Sequence, residues 1–577
     1  MKTLIACCLT AIACLAIAAC QSAQKESLTK QSELYEASAV ICGVQPTDKA
    51  WYSDQQAAPF FDSLGTVHYP ITTNNQTLQR YFDQGLTLAY GFNHAEAARS
   101  FYQAIRLDST SAMAHWGFSY VLGPNYNAGM EPDNYQRAYQ AIQKAIRYSQ
   151  ACTEKEKSLI HALAKRYPAS PVNDRRPYDV AYANAMKAVR DRFLDDVDIG
   201  ALYAESLMDL HPWDLWTKSG QPKPWTPEIV AVLEQTMQRS PKHTGANHFY
   251  IHAVEASQTP QRGLASAALL TQISPGSGHL AHMPSHIYIR TGQYHQGSQS
   301  NIQAVRADST YLTACHAQGA YPLMYYPHNY HFLAATAALE GNSALALNAA
   351  RKVAENTKRS LLNQPGWSTL QHYYTIPYYV AIKFRKWDDI LHWSQIDTLS
   401  LKYPSAIRHY ARGMAYAGKQ QLAQAKAELK QVEAYASDSI MAKQTFWGIN
   451  SGAPLVQIAS RVLKAEILAQ EGQPIASVAL LREAVRREDQ LNYNEPPDWL
   501  FSVRHQLGDM LLKAKQWRAA EQVFTEDLQT LPENGWALAG LAKAQQAQNK
   551  PASARQTKNR ALQAWRWADR QLVNSIR

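Results

Sequence analysis

One spacing recurs along this chain: a glycine, an alanine twelve residues on, and a bulky apolar residue four after that. Gly85, Ala97 and Phe101 set it, and Gly508, Ala520 and Phe524 repeat it, closing with Pro532. Gly413, Ala425 and Leu429 keep the same offsets, and Gly540 with Ala552 adds a copy 32 residues after Gly508 and Ala520. The pattern has a packing cause. A small residue on one helix lets the next approach closely, and the large residue fills the gap against the following pair. Self-similarity at this period marks a stack of helix–turn–helix units. From about residue 76 onward the rest of the chain agrees. Alanine, leucine and glutamine are frequent, apolar residues recur at three and four, and strand-like alternation is scarce. Ser257–Pro260, Thr291-Gly292-Gln293 and Glu340-Gly341-Asn342 read as helix stop and start signals.

The unit resembles the tetratricopeptide repeat. The resemblance implies an all-α, right-handed solenoid of antiparallel helix pairs, about eight to ten of them, with first helices lining a concave groove. Ser119 stands where the repeat expects glycine, and the helices of 120–240 match the pattern poorly. The expected organisation is 1–19 a lipoprotein signal peptide and 20–75 a tether and irregular cap. Then come 76–240 N-terminal repeats, 241–360 a histidine-rich centre, 361–450 further repeats and 451–577 C-terminal repeats.

Lys2 precedes an apolar run from Leu4 to Ala19, too short for a typical spanning helix and shaped like a secretory signal. Its end, Ile17-Ala18-Ala19-Cys20, resembles the bacterial lipobox, which implies lipidation of Cys20 and, with Gln21 next, an outer-membrane anchor facing the periplasm. No later stretch reaches ~20 apolar residues, so the membrane is expected to be met only through lipid. Of seven cysteines, Cys42, Cys152 and Cys315 would remain, enough for one disulfide at most, and no CxxC or CxxCH survives among them. The net charge of +10 is spread over 577 residues, with Arg175-Arg176 and Arg486-Arg487 as isolated pairs. That argues against a nucleic-acid partner.

Of 19 histidines, ten lie between His243 and His331, where even spacing would put about three. Three segments carry them. In Asn247-His248-Phe249-Tyr250-Ile251-His252-Ala253-Val254-Glu255 the two histidines and the glutamate share a helical face. His279-Leu280-Ala281-His282-Met283-Pro284-Ser285-His286 places Pro284 as a first helical residue with His286 in the first turn. Tyr325-Tyr326-Pro327-His328-Asn329-Tyr330-His331 repeats that plan. All three fall on first helices of consecutive pairs, so the histidines are expected to converge across the groove. The candidate ligands are His248, His252, Glu255, His279, His282, His286, His328 and His331, suited to zinc or copper. His94, His115 and His211 are weaker candidates, and Met283 and Met324 are core filler unless copper(I) is the ion. Neutral imidazole binds metal, so affinity is expected to fall as pH drops through about 6.5. Phe249 stands where a zincin would carry its glutamate, and no GxSxG elbow, phosphate loop or kinase set is present.

Across roughly 76–345 the chain also resembles an uncharacterised family of bacterial repeat proteins. The shared phrases are Phe92-Asn93-His94-Ala95-Glu96-Ala97, Trp116-Gly117, Gly123-Pro124-Asn125-Tyr126-Asn127, His211-Pro212-Trp213 and the three histidine segments. This implies an architecture and a site, not a reaction. Two functions stay open: a scaffold binding a protein or peptide in its groove, with the metal as structural or sensing element, and a metal-dependent enzyme using the same histidines. The absence of an orthodox acid–base motif favours the scaffold.

Overall fold

The computed structural model describes residues 57–315, 321–393 and 400–576. The lipobox and Cys20 lie outside them. The described chain is an all-α solenoid of antiparallel helix pairs, from Gln76–Tyr90 with His94–Leu107 to Gly535–Ala547 with Pro551–Ala564. A two-stranded ribbon, Thr445–Phe446 against Asn450–Ser451, interrupts it. There are twelve pairs among the described residues, more than the spacing implied. No described helix is long and apolar enough to cross a membrane.

The repeat packing follows the glycine–aromatic logic, with its register refined. Phe101 wedges between Gly85 of its own pair and Gly117 of the next, and a Cβ at either glycine would overlap its ring. Gly117 therefore takes the position expected at Ser119, whose hydroxyl instead donates to the Ala138 carbonyl at 2.9 Å. Phe524 is held likewise between Gly508 and Gly540. In the Gly413 copy the gap is filled by Leu463 of the following pair rather than by Leu429. Ala552 is exposed, and Ala554 holds the buried place in its repeat.

The poorly matching stretch after residue 120 is held differently. Buried Arg166 donates to Asp179 at 3.1 Å and to Asp209 at 2.5 Å, and Arg175 joins Asp179 at 2.9 Å. Tyr120 donates to Glu205 across the same core. Paired charges carry the packing there, so the small-residue signature was not needed.

The array curls back on itself. Tyr294 donates to the Pro532 carbonyl at 2.7 Å, and the Trp536 indole donates to the Ala338 carbonyl at 2.9 Å. The C-terminal pairs thus sit against turns of the central ones. A deep groove remains, walled by Trp213, Trp216 and Trp225 on one side and by Trp447, Tyr493 and Trp499 on the other. His252 and Glu255 reach its floor.

Candidate metal centre

The three histidine segments lie on consecutive first helices. Thr244–Val254 carries His248 and His252. The short helices Gly278–His282 and Pro284–Thr291, broken at Met283, carry His279, His282 and His286. Tyr326–Leu339 carries His328 and His331. Proline opens the second and third of these helices, as the sequence predicts. Stacking brings six of the rings together as two triads: His248, His252 and His279, and His282, His286 and His328. Within each triad one nitrogen per ring lies within 4.8 Å of the others. Each triad joins an i,i+4 pair to one histidine handed over by the next repeat. Across the divide His252 and His286 are 5.8 Å apart by ring centre, and His279 and His282 are 5.9 Å apart.

Hydrogen bonds set which nitrogen of each ring is free. His248 Nδ1 donates to the Tyr90 carbonyl at 2.6 Å. Glu255 accepts from His252 Nδ1 at 2.8 Å with one oxygen and from His286 Nδ1 at 2.5 Å with the other. Burial alone would raise the Glu255 carboxyl, but the His286 and His252 rings outweigh it and hold it down at about 2. Asn301 donates its amide to the Gly297 carbonyl at 2.8 Å, so its oxygen faces His282 Nδ1, 2.7 Å away, and accepts from it. Four rings are therefore fixed with the proton on Nδ1 and a lone pair on Nε2.

Those lone pairs meet no donor. His248 Nε2 and His252 Nε2 are buried without partners, as are both nitrogens of His279 and Nδ1 of His328. His282 Nε2 and His286 Nε2 face each other at 2.9 Å. Two imidazole lone pairs at that distance repel unless a cation or a proton lies between them. His282 itself resists a proton: burial first, then the neighbouring His286 ring, hold it well below its ordinary 6.5. The same causes act on His248, His279 and His328. Buried, unprotonated, unpartnered and convergent nitrogens fit a metal's donor set, and a carboxylate behind the rings is the usual device for aiming them. Phe92 floors the first triad, 4.6 Å from His248, and Phe332 floors the second, 4.4 Å from His286.

Two predicted ligands have other places. Both oxygens of Glu255 are taken by Nδ1 atoms, so it stands behind the rings rather than among the ligand nitrogens. His331 lies outside both triads, 5.8 Å from His372 by ring centre, with neither nitrogen partnered. The weaker candidates are dispersed as well. His94 is half-buried beside Tyr120, with desolvation pulling it down to about 4, His115 Nε2 meets the Ser109 carbonyl at 2.9 Å, and His211 stacks on Trp225 at 3.7 Å. Met283 and Met324 are core residues.

A small cavity opens onto both triads, lined by His252, His279, His286 and His328, with Trp213, Tyr325, Trp447 and Asn127 around them. Asn127 is set by an Asx turn, its amide donating to Asn125 Oδ1 at 2.9 Å. Glu495 shares this cavity. Its Oε2 is buried without a partner, and burial pushes the carboxyl up to about 7. It sits 164 residues beyond His331, the last residue of the histidine segments, and in no motif, so only the curling of the array brings it in.

Fold and site together define an all-α tetratricopeptide-like solenoid with a buried histidine centre. No family model matches the chain, and no curated protein is similar to it. Solved structures share its helical-repeat form only distantly. The human IFIT1 dimer with m7Gppp-AAAA is 11% identical, covering 85% of this chain and 91% of that one at a TM-score of 0.29. The APC/C hetero-tetramer Cut9-Hcn1 is 11% identical over 86% and 75%, at 0.28. The P58(IPK) TPR domain is 10% identical over 82% and 98%, at 0.20. Likeness this low carries no functional argument; the repeat class rests on the packing within this chain.

Proposed function

We propose that the protein is a lipid-anchored, periplasm-facing solenoid that holds zinc or copper in its histidine triads and presents the metal at the floor of a groove that takes a protein or peptide segment. The observation that carries the metal is the facing Nε2 pair of His282 and His286, 2.9 Å apart with both Nδ1 protons committed elsewhere. Three imidazoles with an open position suit zinc or copper, at Zn–N distances near ~2.0–2.1 Å. The tryptophan-lined walls above the site supply apolar area for a bound segment. The anchor rests on Ile17-Ala18-Ala19-Cys20.

Elemental analysis of the purified protein tests the metal. Zinc or copper bound in stoichiometric amount, and reduced in His252→Ala, is expected; protein that stays metal-free after reloading sinks the reading. Mass spectrometry of the mature N-terminus tests the anchor. A lipidated Cys20 is expected, and an unmodified terminus at any other residue removes it. A second reading, a metal-dependent enzyme, is favoured by one feature: Glu495 offers an unpartnered carboxyl oxygen in the cavity that both triads face. Such a group suits general acid–base work beside a bound ion.

A further inference from the structure

Building on the metal reading, we infer that the two triads form one dinuclear copper centre whose ions share a single cavity and take one dioxygen molecule between them. Three observations combine. First, there are two complete donor sets, not one enlarged set: each has three nitrogens within 4.8 Å of one another. Second, each triad puts two of its three rings on the same cavity, His252 and His279 from one and His286 and His328 from the other. An ion held in each triad would therefore border the same space. Third, the six donors are all imidazoles, and the carboxylate behind them is spent on hydrogen bonds, Glu255 bridging His252 and His286.

The third point decides the ion. Five of the six rings are buried and His328 is half-buried. Two divalent ions would place four positive charges there against the Glu255 carboxylate and, when ionised, that of Glu495, whereas two copper(I) ions place two. The cost of burying charge rises steeply with its amount, so the site favours the monovalent pair. Imidazole is a suitable copper ligand, and three of them leave a copper(I) ion open on one side. A neutral diatomic fits a small cavity walled in part by Trp213, Tyr325 and Trp447. On binding, each copper(I) gives up one electron, dioxygen gains two and is reduced to the peroxide level, and its O–O bond stays intact. Copper–oxygen bonds form at both ions, and no proton is needed. Release reverses each step, so reversible binding requires no further reductant.

The test loads the full-length protein with copper(I) under anaerobic conditions, counts the copper, then admits dioxygen. Expected are two coppers per chain, a new absorption on oxygenation that fades on degassing, and an oxidised form silent in electron paramagnetic resonance, because two bridged copper(II) spins pair. His279→Ala and His328→Ala, one from each triad, should each drop the count from two to one and give a copper(II) signal on oxidation. His331→Ala should keep both ions and the silent state. One copper per chain in the wild type overturns the dinuclear centre. So does a copper(II) signal accounting for all bound copper. Two zinc ions taken up with no copper retained overturns the ion assignment while leaving the metal reading intact. Protein that binds no metal sinks both.

Discussion

His282 and His286 point their Nε2 atoms at each other across 2.9 Å, each held in that pose by an acceptor behind its Nδ1. For His282 the acceptor is Asn301, itself oriented by the Gly297 carbonyl; for His286 it is Glu255. The protein thus spends hydrogen bonds to hold two lone pairs in mutual repulsion. A buried polar atom left unpaired costs about 1–3 kcal/mol, and this fold collects several within one cavity. That arrangement is stable in proportion to what a cation returns when it binds.

Glu255 is the first point at which this can be broken. In Glu255→Gln the amide oxygen accepts from only one of the two Nδ1 protons. The amide NH₂ then faces the other ring, which must move its proton to Nε2 and cease to be a ligand. Metal affinity should fall about 10- to 100-fold, as it does when an orienting partner is lost. Competition against a chelator measures this. Unchanged affinity would mean that the carboxylate does not set the tautomers.

How much of this the sequence carries differs by element. The helix pairs were legible because Gly508, Phe524 and Gly540 obey a steric rule that leaves its mark at fixed offsets. The pairs after residue 120 were not, because the ion pairs of Arg166 with Asp179 and Asp209 leave no periodic trace. Six of the eight proposed ligands meet, because helical period and repeat stacking together place them. His331 does not, since one further turn carries it toward His372, a residue of the next pair. Asn301, Phe92 and Glu495 were invisible as site residues: each acts through tertiary position alone. For the second triad the clue was Pro284 and Pro327, each opening a first helix with histidines in its opening turns.

Acid should unfold the metal-free protein early. Burial holds His248, His279, His282, His328 and His331 well below 6.5 in the folded chain. Once unfolded these rings take up protons at their ordinary value, so stability is full above about pH 6.5 and is lost as pH falls below it. Glu255, held at about 2, adds a second loss between about 4.5 and 2. Bound metal should also survive below pH 6.5, since protons compete poorly for these rings. Thermal melts from pH 8 to 4, with and without metal, report both. A melting temperature flat from pH 7.5 to 5 without metal would show that the rings are not buried neutral.

Gly278 offers a change that touches no ligand. A Cβ there would overlap the Asp308 carboxylate. Asp308 accepts from Tyr321 at 2.8 Å and from Asn329 at 2.7 Å, and the Tyr321 oxygen in turn accepts the His279 backbone N–H at 3.1 Å. Gly278→Ala should therefore cost about 1–3 kcal/mol as overpacking and displace His279. Metal should weaken at the His248–His252–His279 triad and hold at the other. Wild-type melting together with full metal content would refute the linkage.

Phe524 permits a test of the array itself. Its ring is clasped by Gly508 and Gly540, which lie on successive first helices, so both glycines read the same gap. Gly508→Leu and Gly540→Leu should each force the helices apart at about 1–3 kcal/mol or more. Because the two substitutions press on one ring, their effects should fall short of additive by about 0.5–3 kcal/mol. Phe524→Ala alone should open a cavity costing about 3–5 kcal/mol, yet combined with Gly508→Leu it should recover part of that loss, the leucine entering the vacated space. In a stacked array the damage stays near its source, so hydrogen exchange should quicken across 503–564 while the pairs from Thr244 to Leu339 keep their protection. If both leucine variants exchange like the wild type, the ring is not the wedge that sets the spacing of these repeats.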